Sequence, residues 1–271
     1  MNVYAFMPAR NEEDNLPECL DSLLKQTLKP SKILVINDAS IDKTKDIAES
    51  YGCDVINLTE QHESYTLSVE DTWRFATIWN HAFPMPRNTD YLMQTGPDVI
   101  LPRNYIERLV KLMEQDNRLV IASGMIEGEP TLKTHVRGAG RLYKAWFWNK
   151  YVKMFPLTHG CESYPLYKAL ALGFKVQNFP QIIMKAQRPT QLHKGKYGYA
   201  MRELGYFPPF ALAKCFLSTL FSPKNGIMMF KTYLTSPFKP KDKDIQTYLR
   251  LHQIHRILHV KESLAIWLSR I

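Results

Sequence analysis

A chain of 271 residues with a net charge of +9 and a pI near 9.2 has room for one large domain plus an appendage, and its positive balance favours acidic partners: nucleic acid, phosphorylated small molecules or an anionic membrane face. No stretch reaches the ~18 apolar residues that a membrane span requires, and the short apolar run at residues 1–7 lacks the basic region and cleavage site of a signal peptide. Cys19, Cys53, Cys161 and Cys215 form no C-x-x-C pair and fit free thiols better than a disulfide framework, so the expected location is the cytoplasm, including the cytoplasmic face of a membrane.

Residues 2–7 read as a buried strand, broken by Pro8-Ala9-Arg10-Asn11. Glu12, Glu13 and Asp14 then place acid in the first turn of a helix, which suits the helix dipole. Leu16, Leu20, Leu23 and Leu24 give that helix one apolar face. Residues 32–36 predict a second strand ending in Asn37-Asp38-Ala39-Ser40. A helix over 42–51 follows, stopped by Gly52, and a third strand spans 54–58. This alternation is a βαβ signature and implies a parallel sheet.

Beyond an irregular stretch, Val69, Trp73, Ala76 and Trp79 mark another helix. Asp90-Tyr91-Leu92-Met93-Gln94-Thr95 reads as a short strand that ends in Gly96-Pro97-Asp98, with Pro102 leading into a helix over 104–115. Residues 119–123 are strand-like. The segment 124–148, with Gly128, Gly138, Gly140 and the cluster Tyr143, Trp146, Phe147, Trp148, predicts a binding loop followed by a helix. A helix over 163–172 is closed by Gly173, and 174–179 is the last predicted strand. From about Arg188 the chain turns basic, aromatic and helical, with breaks at Pro208-Pro209, Pro223, Pro237 and Pro240. The division is therefore an α/β domain at 1–198 and a helical, basic extension at 199–271.

Three groups of residues carry chemistry. The turns after the first two strands lie at the same end of a parallel sheet, so Arg10, Glu12 and Asp38 are expected to be neighbours, and a carboxylate there accepts hydrogen bonds from a ligand. The same residues also read as ordinary helix caps. Asp98, just past a strand's C-terminal end, stands where open α/β sheets place ligand chemistry, and a carboxylate there can hold a divalent cation; it also reads as a turn Asp. Glu162, in His159-Gly160-Cys161-Glu162-Ser163, stands at a helix start, where it can take a proton from a hydroxyl or simply serve as an N-terminal acid.

The order of these segments resembles the family-2 glycosyltransferases of the GT-A fold over about residues 2–180: strand–PARNEE–helix, strand–NDASID–helix, strand–GPDVIL, then CES with a following helix. The resemblance implies a Rossmann-like, mostly parallel sheet flanked by helices. It implies that Pro8, Arg10, Glu12 and Asp38 meet the nucleotide of a nucleotide-diphosphate sugar, with Asp38 reading the base. It makes Asp98 the last acid of the family's D-x-D, holding Mg²⁺ or Mn²⁺ against the diphosphate. It makes Glu162 the general base of an inverting transfer to an acceptor hydroxyl. The first acid of D-x-D is Gly96 here, and the family's E-D pair reads Cys161-Glu162. His193 is the candidate that completes the metal shell, though it also reads as a solvated loop histidine, and Arg188 is a candidate for neutralising the leaving diphosphate.

The alternative is a degenerate member that binds nucleotide or sugar without turnover. Arg137-Gly138-Ala139-Gly140-Arg141 is a candidate for closing over the diphosphate. His252, His255 and His259 have a spacing open to metal but read as a basic helix face. The apolar run 207–221 and the basic helix 246–271 fit peripheral contact with a membrane carrying a lipid-linked acceptor, or helices that cover the sheet or form a homodimer; a polysaccharide acceptor is equally compatible. No nucleic-acid-binding motif is present, so no nucleic-acid partner is expected.

Overall fold

The computed structural model describes residues 1–59, 74–129, 136–189, 197–237 and 239–259. Eight strands form one sheet in the order β3-β2-β1-β4-β7-β6-β8-β5. The first half is the predicted one. β1 (Val3–Ala9), β2 (Lys32–Asp38) and β3 (Asp54–Leu58) run parallel, joined by α1 (Leu16–Leu24) and α2 (Thr44–Ser50). All seven residues of β1 are buried, as expected of a central strand covered on both faces. Pro17 lies in the first turn of α1, where its missing N–H removes no helix bond. Leu16, Cys19, Leu20 and Leu23 of that helix are buried against the sheet.

α3 (Arg74–Asn80) leads to β4 (Tyr91–Gln94), which is parallel to β1. The two-residue β5 (Val99–Ile100), α4 (Tyr105–Gln115) and β6 (Leu119–Ile126) follow. The segment expected to be a loop and a helix contains a strand instead: β7 (Arg141–Lys144) is wedged antiparallel between β4 and β6. All four of its residues are buried. α5 (Ala145–Phe147) continues into a π-helical turn, Trp148–Val152. α6 (Tyr164–Ala171) ends at Gly173, whose φ of 77° is a left-handed value that glycine tolerates.

β8 (Lys175–Ala186) is twice as long as expected. It pairs with β6 in parallel as far as Phe179, slips register, resumes at Ile183, and finally pairs antiparallel with β5. The slip is where Pro180 falls; a bulge accommodates a residue that cannot donate to the ladder.

Two core layers lie on the two faces of the sheet, one under α1 and α4, the other under α3, α5 and α6. A third packs within the extension, built from α7 (Tyr197–Leu204), α8 (Pro208–Phe221), α9 (Pro223–Thr235) and α10 (Lys243–Leu258). α10 buries Ile245, Leu249 and Gln253, and Asp242 at its start accepts hydrogen bonds from Lys168 Nζ (2.8 Å) and the Tyr164 hydroxyl (2.9 Å) of α6. The described part of α10 therefore packs on α6. No helix among the described residues is long and apolar enough to cross a membrane.

Candidate active site

The turns after β1 and β2 meet at the C-terminal edge of the sheet, held by side chains of the motifs themselves. The Asn11 amide donates to Ser40 Oγ (3.0 Å), and the Ile41 amide donates to Asn11 Oδ1 (2.9 Å). The Glu12 amide donates to Thr44 Oγ1 (2.7 Å), and the Glu13 amide to Asp42 Oδ2 (3.1 Å). Asn11 and Ala39 both adopt left-handed backbone, at φ 53° and 52°. That conformation is strained for a residue with a Cβ, and such strain concentrates at functional edges.

Asp38 ends β2 and is fully buried. Its Oδ1 accepts a hydrogen bond from Arg74 Nη2 at 2.6 Å, and its Oδ2 lies 3.8 Å from Arg10 Nη1. Oδ2 accepts no hydrogen bond among the described residues. A buried carboxylate oxygen with unused acceptor capacity is costly unless a ligand N–H or O–H fills it. Arg10 was expected at the site; Arg74 was not, because nothing in the spacing of its helix distinguishes it from a surface arginine. Pro8 is buried within β1, paired in register with Ile36, and shapes the strand end.

Glu12, Asp98 and Arg188 form a second cluster. Arg188 Nε donates to Asp98 Oδ2 at 2.8 Å, while its Nη2 donates to Glu12 Oε1. The pairing follows from the length of β8. Its antiparallel contact with β5 carries the chain back to the turn before β5, where the Gln187 amide donates to the Asp98 carbonyl (2.9 Å). Burial pushes the Cys19 thiol up to about 12, so it remains protonated and donates to the Gly96 carbonyl from below (3.3 Å). A Cβ on Gly96 would stand 2.8 Å from Asp98 Oδ1. The position of the family's first acid is thus one that Asp98 itself crowds.

Glu162 lies just before α6, with a half-exposed side chain. The buried Arg141 of β7 holds it, donating from Nη2 to Glu162 Oε1 (3.2 Å) and from Nη1 to the Glu162 carbonyl (3.1 Å). The rest of that guanidinium is occupied by the Arg137 carbonyl (3.0 Å), the Val136 carbonyl and the Tyr143 hydroxyl (3.0 Å). Burial pushes the Tyr143 hydroxyl up to about 12, more than the Arg141 charge lowers it, and it donates to Gln94 Oε1 (2.9 Å) at the end of β4. Gly138 fits against this group: a Cβ there would come within 2.4 Å of Glu162 Oε1. In the structure the side chains of the Arg137–Arg141 segment engage protein groups. Arg141 orients Glu162, and Arg137 pairs with Glu129 at 2.7 Å.

His193 lies outside the described residues. Among the described residues no three His, Cys, Asp or Glu side chains cluster to hold a metal; His255 and His259, at the C-terminal end of α10, stack at 4.3 Å.

Residues 4–171 match the family model described as glycosyl transferase family 2. A segment of 134 residues is 25% identical to the uncharacterized glycosyltransferase EpsJ of Bacillus subtilis, covering 49% of this chain and 37% of that protein. The chain thus spans well under half the length of the curated relatives it matches. Among solved structures, a TarS fragment from S. aureus in complex with UDP-GlcNAc superposes with a TM-score of 0.58 at 12% identity, covering 87% of this chain and 74% of that one. The mannosyltransferase PcManGT from Pyrobaculum calidifontis, in complex with GDP-Man and Mn²⁺, superposes with a TM-score of 0.56 at 14% identity, covering 99% and 83%. At such identities the likeness establishes the GT-A fold.

Proposed function

The chain belongs to glycosyl transferase family 2, and we propose that it is an inverting glycosyltransferase in which Asp38 binds the nucleotide base and Glu162 is the general base. The observation that carries this reading is the pair of differently built carboxylates: Asp38 fully buried, with an Oδ2 that accepts no hydrogen bond among the described residues, and Glu162 half-exposed and oriented by Arg141. One is made to hold a ligand, the other to meet one.

The donor lies along the C-terminal edge of the sheet, its base against Asp38 and its diphosphate toward Asp98 and Arg188. The acceptor hydroxyl approaches Glu162, which takes its proton. The oxygen attacks the anomeric carbon as the bond to the diphosphate breaks, its electron pair leaving with the phosphate oxygen. Attack from the opposite face inverts the anomeric centre. Charge builds on the leaving diphosphate, and Arg188, tethered between Glu12 and Asp98, is within the cluster that meets it.

A divalent cation fits this site in a specific way. Asp98 offers its carboxylate oxygens at the sheet edge, and Gly96 beside it carries no side chain to crowd Oδ1. A single carboxylate completed by phosphate oxygens and water is an ordinary Mg²⁺ arrangement. Asp98 would hold Mg²⁺ or Mn²⁺, and the cation would neutralise diphosphate charge; His193 keeps its place as a candidate further ligand. The acceptor is a hydroxyl compound, with lipid-linked and polysaccharide acceptors both compatible. Orientation of Glu162 by a dedicated buried arginine favours turnover over a binding-only role, since a pure binder has no use for a positioned base.

The test is a panel of UDP- and GDP-sugars with Mn²⁺, read as release of free nucleoside diphosphate. One donor is expected to give release that Asp38→Asn and Glu162→Gln each suppress. Release from none, together with no nucleoside diphosphate raising the melting temperature, would overturn the reading.

A further inference from the structure

The helical extension leaves large apolar side chains in solvent. Along α8, Leu212, Phe216 and Leu220 are 41%, 66% and 63% exposed at spacings of four residues, one stripe of the helix. Along α9, Ile227, Phe230 and Leu234 are 62%, 44% and 61% exposed, again a single stripe. The opposite sides of both helices are spent on packing, with Ala211 and Cys215 of α8 and Gly226, Met229, Thr232 and Tyr233 of α9 buried.

The two helices form a tight hairpin, since α8 ends at Phe221 and α9 begins at Pro223. They cross closely at Gly226, where a Cβ would meet Thr219 at 2.2 Å. α9 in turn crosses α7 at Gly198, where a Cβ would stand 2.0 Å from the Met229 carbonyl. The apolar stripes therefore belong to a rigid element. Exposed apolar patches of this kind mark an interaction surface.

The charge around the patch selects the occupant. Residues 206–241 contain no Asp or Glu and five lysines: Lys214, Lys224, Lys231, Lys239 and Lys241. Lys224, Lys231, Lys239 and Lys241 are exposed, and Lys214 lies over the Tyr197 ring at 4.3 Å. An apolar stripe bordered only by positive charge is complementary to an anionic lipid surface, which offers acyl chains beneath a layer of negative headgroups. Spanning is excluded by length, because the longer of the two helices, α8, reaches only about 21 Å at 1.5 Å per residue, short of the ~30 Å hydrocarbon core.

We propose that the α8–α9 hairpin docks on an anionic bilayer, its apolar stripes lying in the headgroup layer and its lysines on the phosphates. α7 ties this hairpin to the catalytic domain: Glu203 Oε2 accepts from the His159 amide at 2.6 Å, and Leu204 packs on Gly160, three and two residues from Glu162. The docked surface is thereby fixed to the segment that carries the base. The proposal stands on exposure and charge, independently of the donor or acceptor.

Flotation of the full chain with phosphatidylcholine vesicles, with and without phosphatidylglycerol, tests it. Binding is expected with the anionic vesicles and not with phosphatidylcholine alone, weakening as salt is raised. Phe216→Glu/Leu220→Glu/Ile227→Glu is expected to abolish it. Lys224→Glu/Lys231→Glu is expected to weaken it by about tenfold or more. All five side chains are exposed, so circular dichroism and the melting temperature should match the parent. Failure of the parent chain to float with anionic vesicles would overturn the proposal, as would undiminished binding of the apolar triple variant. A dimer in light scattering that the triple variant converts to monomer would also overturn it, by giving the face to a second copy.

Discussion

At the residue scale, the acids of the site are distinguished by their cationic partners. Asp38 has Arg74 and Arg10, Glu12 and Asp98 share Arg188, and Glu162 has Arg141. The carboxylates were legible because each sits at a strand end or helix start in a recognisable turn. The pairing of these arginines with particular acids is not legible in the sequence, because an arginine's reach makes its sequence position uninformative. Arg141 is the sharpest case. In sequence it belonged to a glycine-rich basic loop; in the structure it is buried within a strand, with its guanidinium surrounded by carbonyls and a carboxylate. Asp38→Asn should weaken nucleoside diphosphate binding by about 10- to 100-fold, the value of a hydrogen bond to a charged group, measured by calorimetry. Unchanged affinity would place the base elsewhere. Arg141→Lys keeps the charge but loses the fixed fork. It should lower kcat with little change in the donor's binding constant. A rise in KM alone would make Arg141 part of the donor pocket.

At the scale of elements, the two turns at the sheet edge act as one unit. Burial raises the Asp42 carboxyl, but hydrogen bonds from the Thr44 hydroxyl and amide and the Glu13 amide outweigh it, so its pKa lies below the usual 3.8. A depressed carboxyl adds stability that is fully present above that value and is lost as pH falls through the folded pKa. Asp42→Asn should therefore reduce the melting temperature at neutral pH and flatten its fall below about pH 4. Parallel pH curves for the two proteins would show that the turn is held otherwise. Gly198→Ala tests the α7–α9 crossing. With its Cβ directed at a backbone carbonyl, it should cost about 1–3 kcal/mol, the usual range for overpacking, read by denaturant unfolding. The βαβ half of the sheet was readable because its strands are continuous apolar runs separated by capped helices. β7 was not, since a four-residue strand beginning and ending in basic residues shows no alternation of its own and is specified by the edges of β4 and β6. The second half of β8 was hidden by Pro180, which ends a strand in most contexts but here sits in a register slip.

For the whole molecule, the α/β domain and the helices α7–α10 are tied together by polar side-chain contacts. His159 Nδ1 lies 2.6 Å from Glu203 Oε1, Lys168 bridges Asp242 and Asp244 at 2.8 Å each, and the Tyr206 hydroxyl bonds to Tyr167 of α6 at 2.7 Å. These contacts predict a single cooperative thermal transition, with equal calorimetric and van't Hoff enthalpies. Two resolved transitions would separate the units. The same coupling gives Glu162 its setting, between Arg141 on one side and the loop held by α7 on the other. If this carboxylate takes the acceptor's proton, single-turnover transfer by Glu162→Gln at saturating donor should fall by about 10²–10⁴-fold with the donor's dissociation constant unchanged. Transfer at the parent rate, or loss of donor binding in step with loss of transfer, would contradict it.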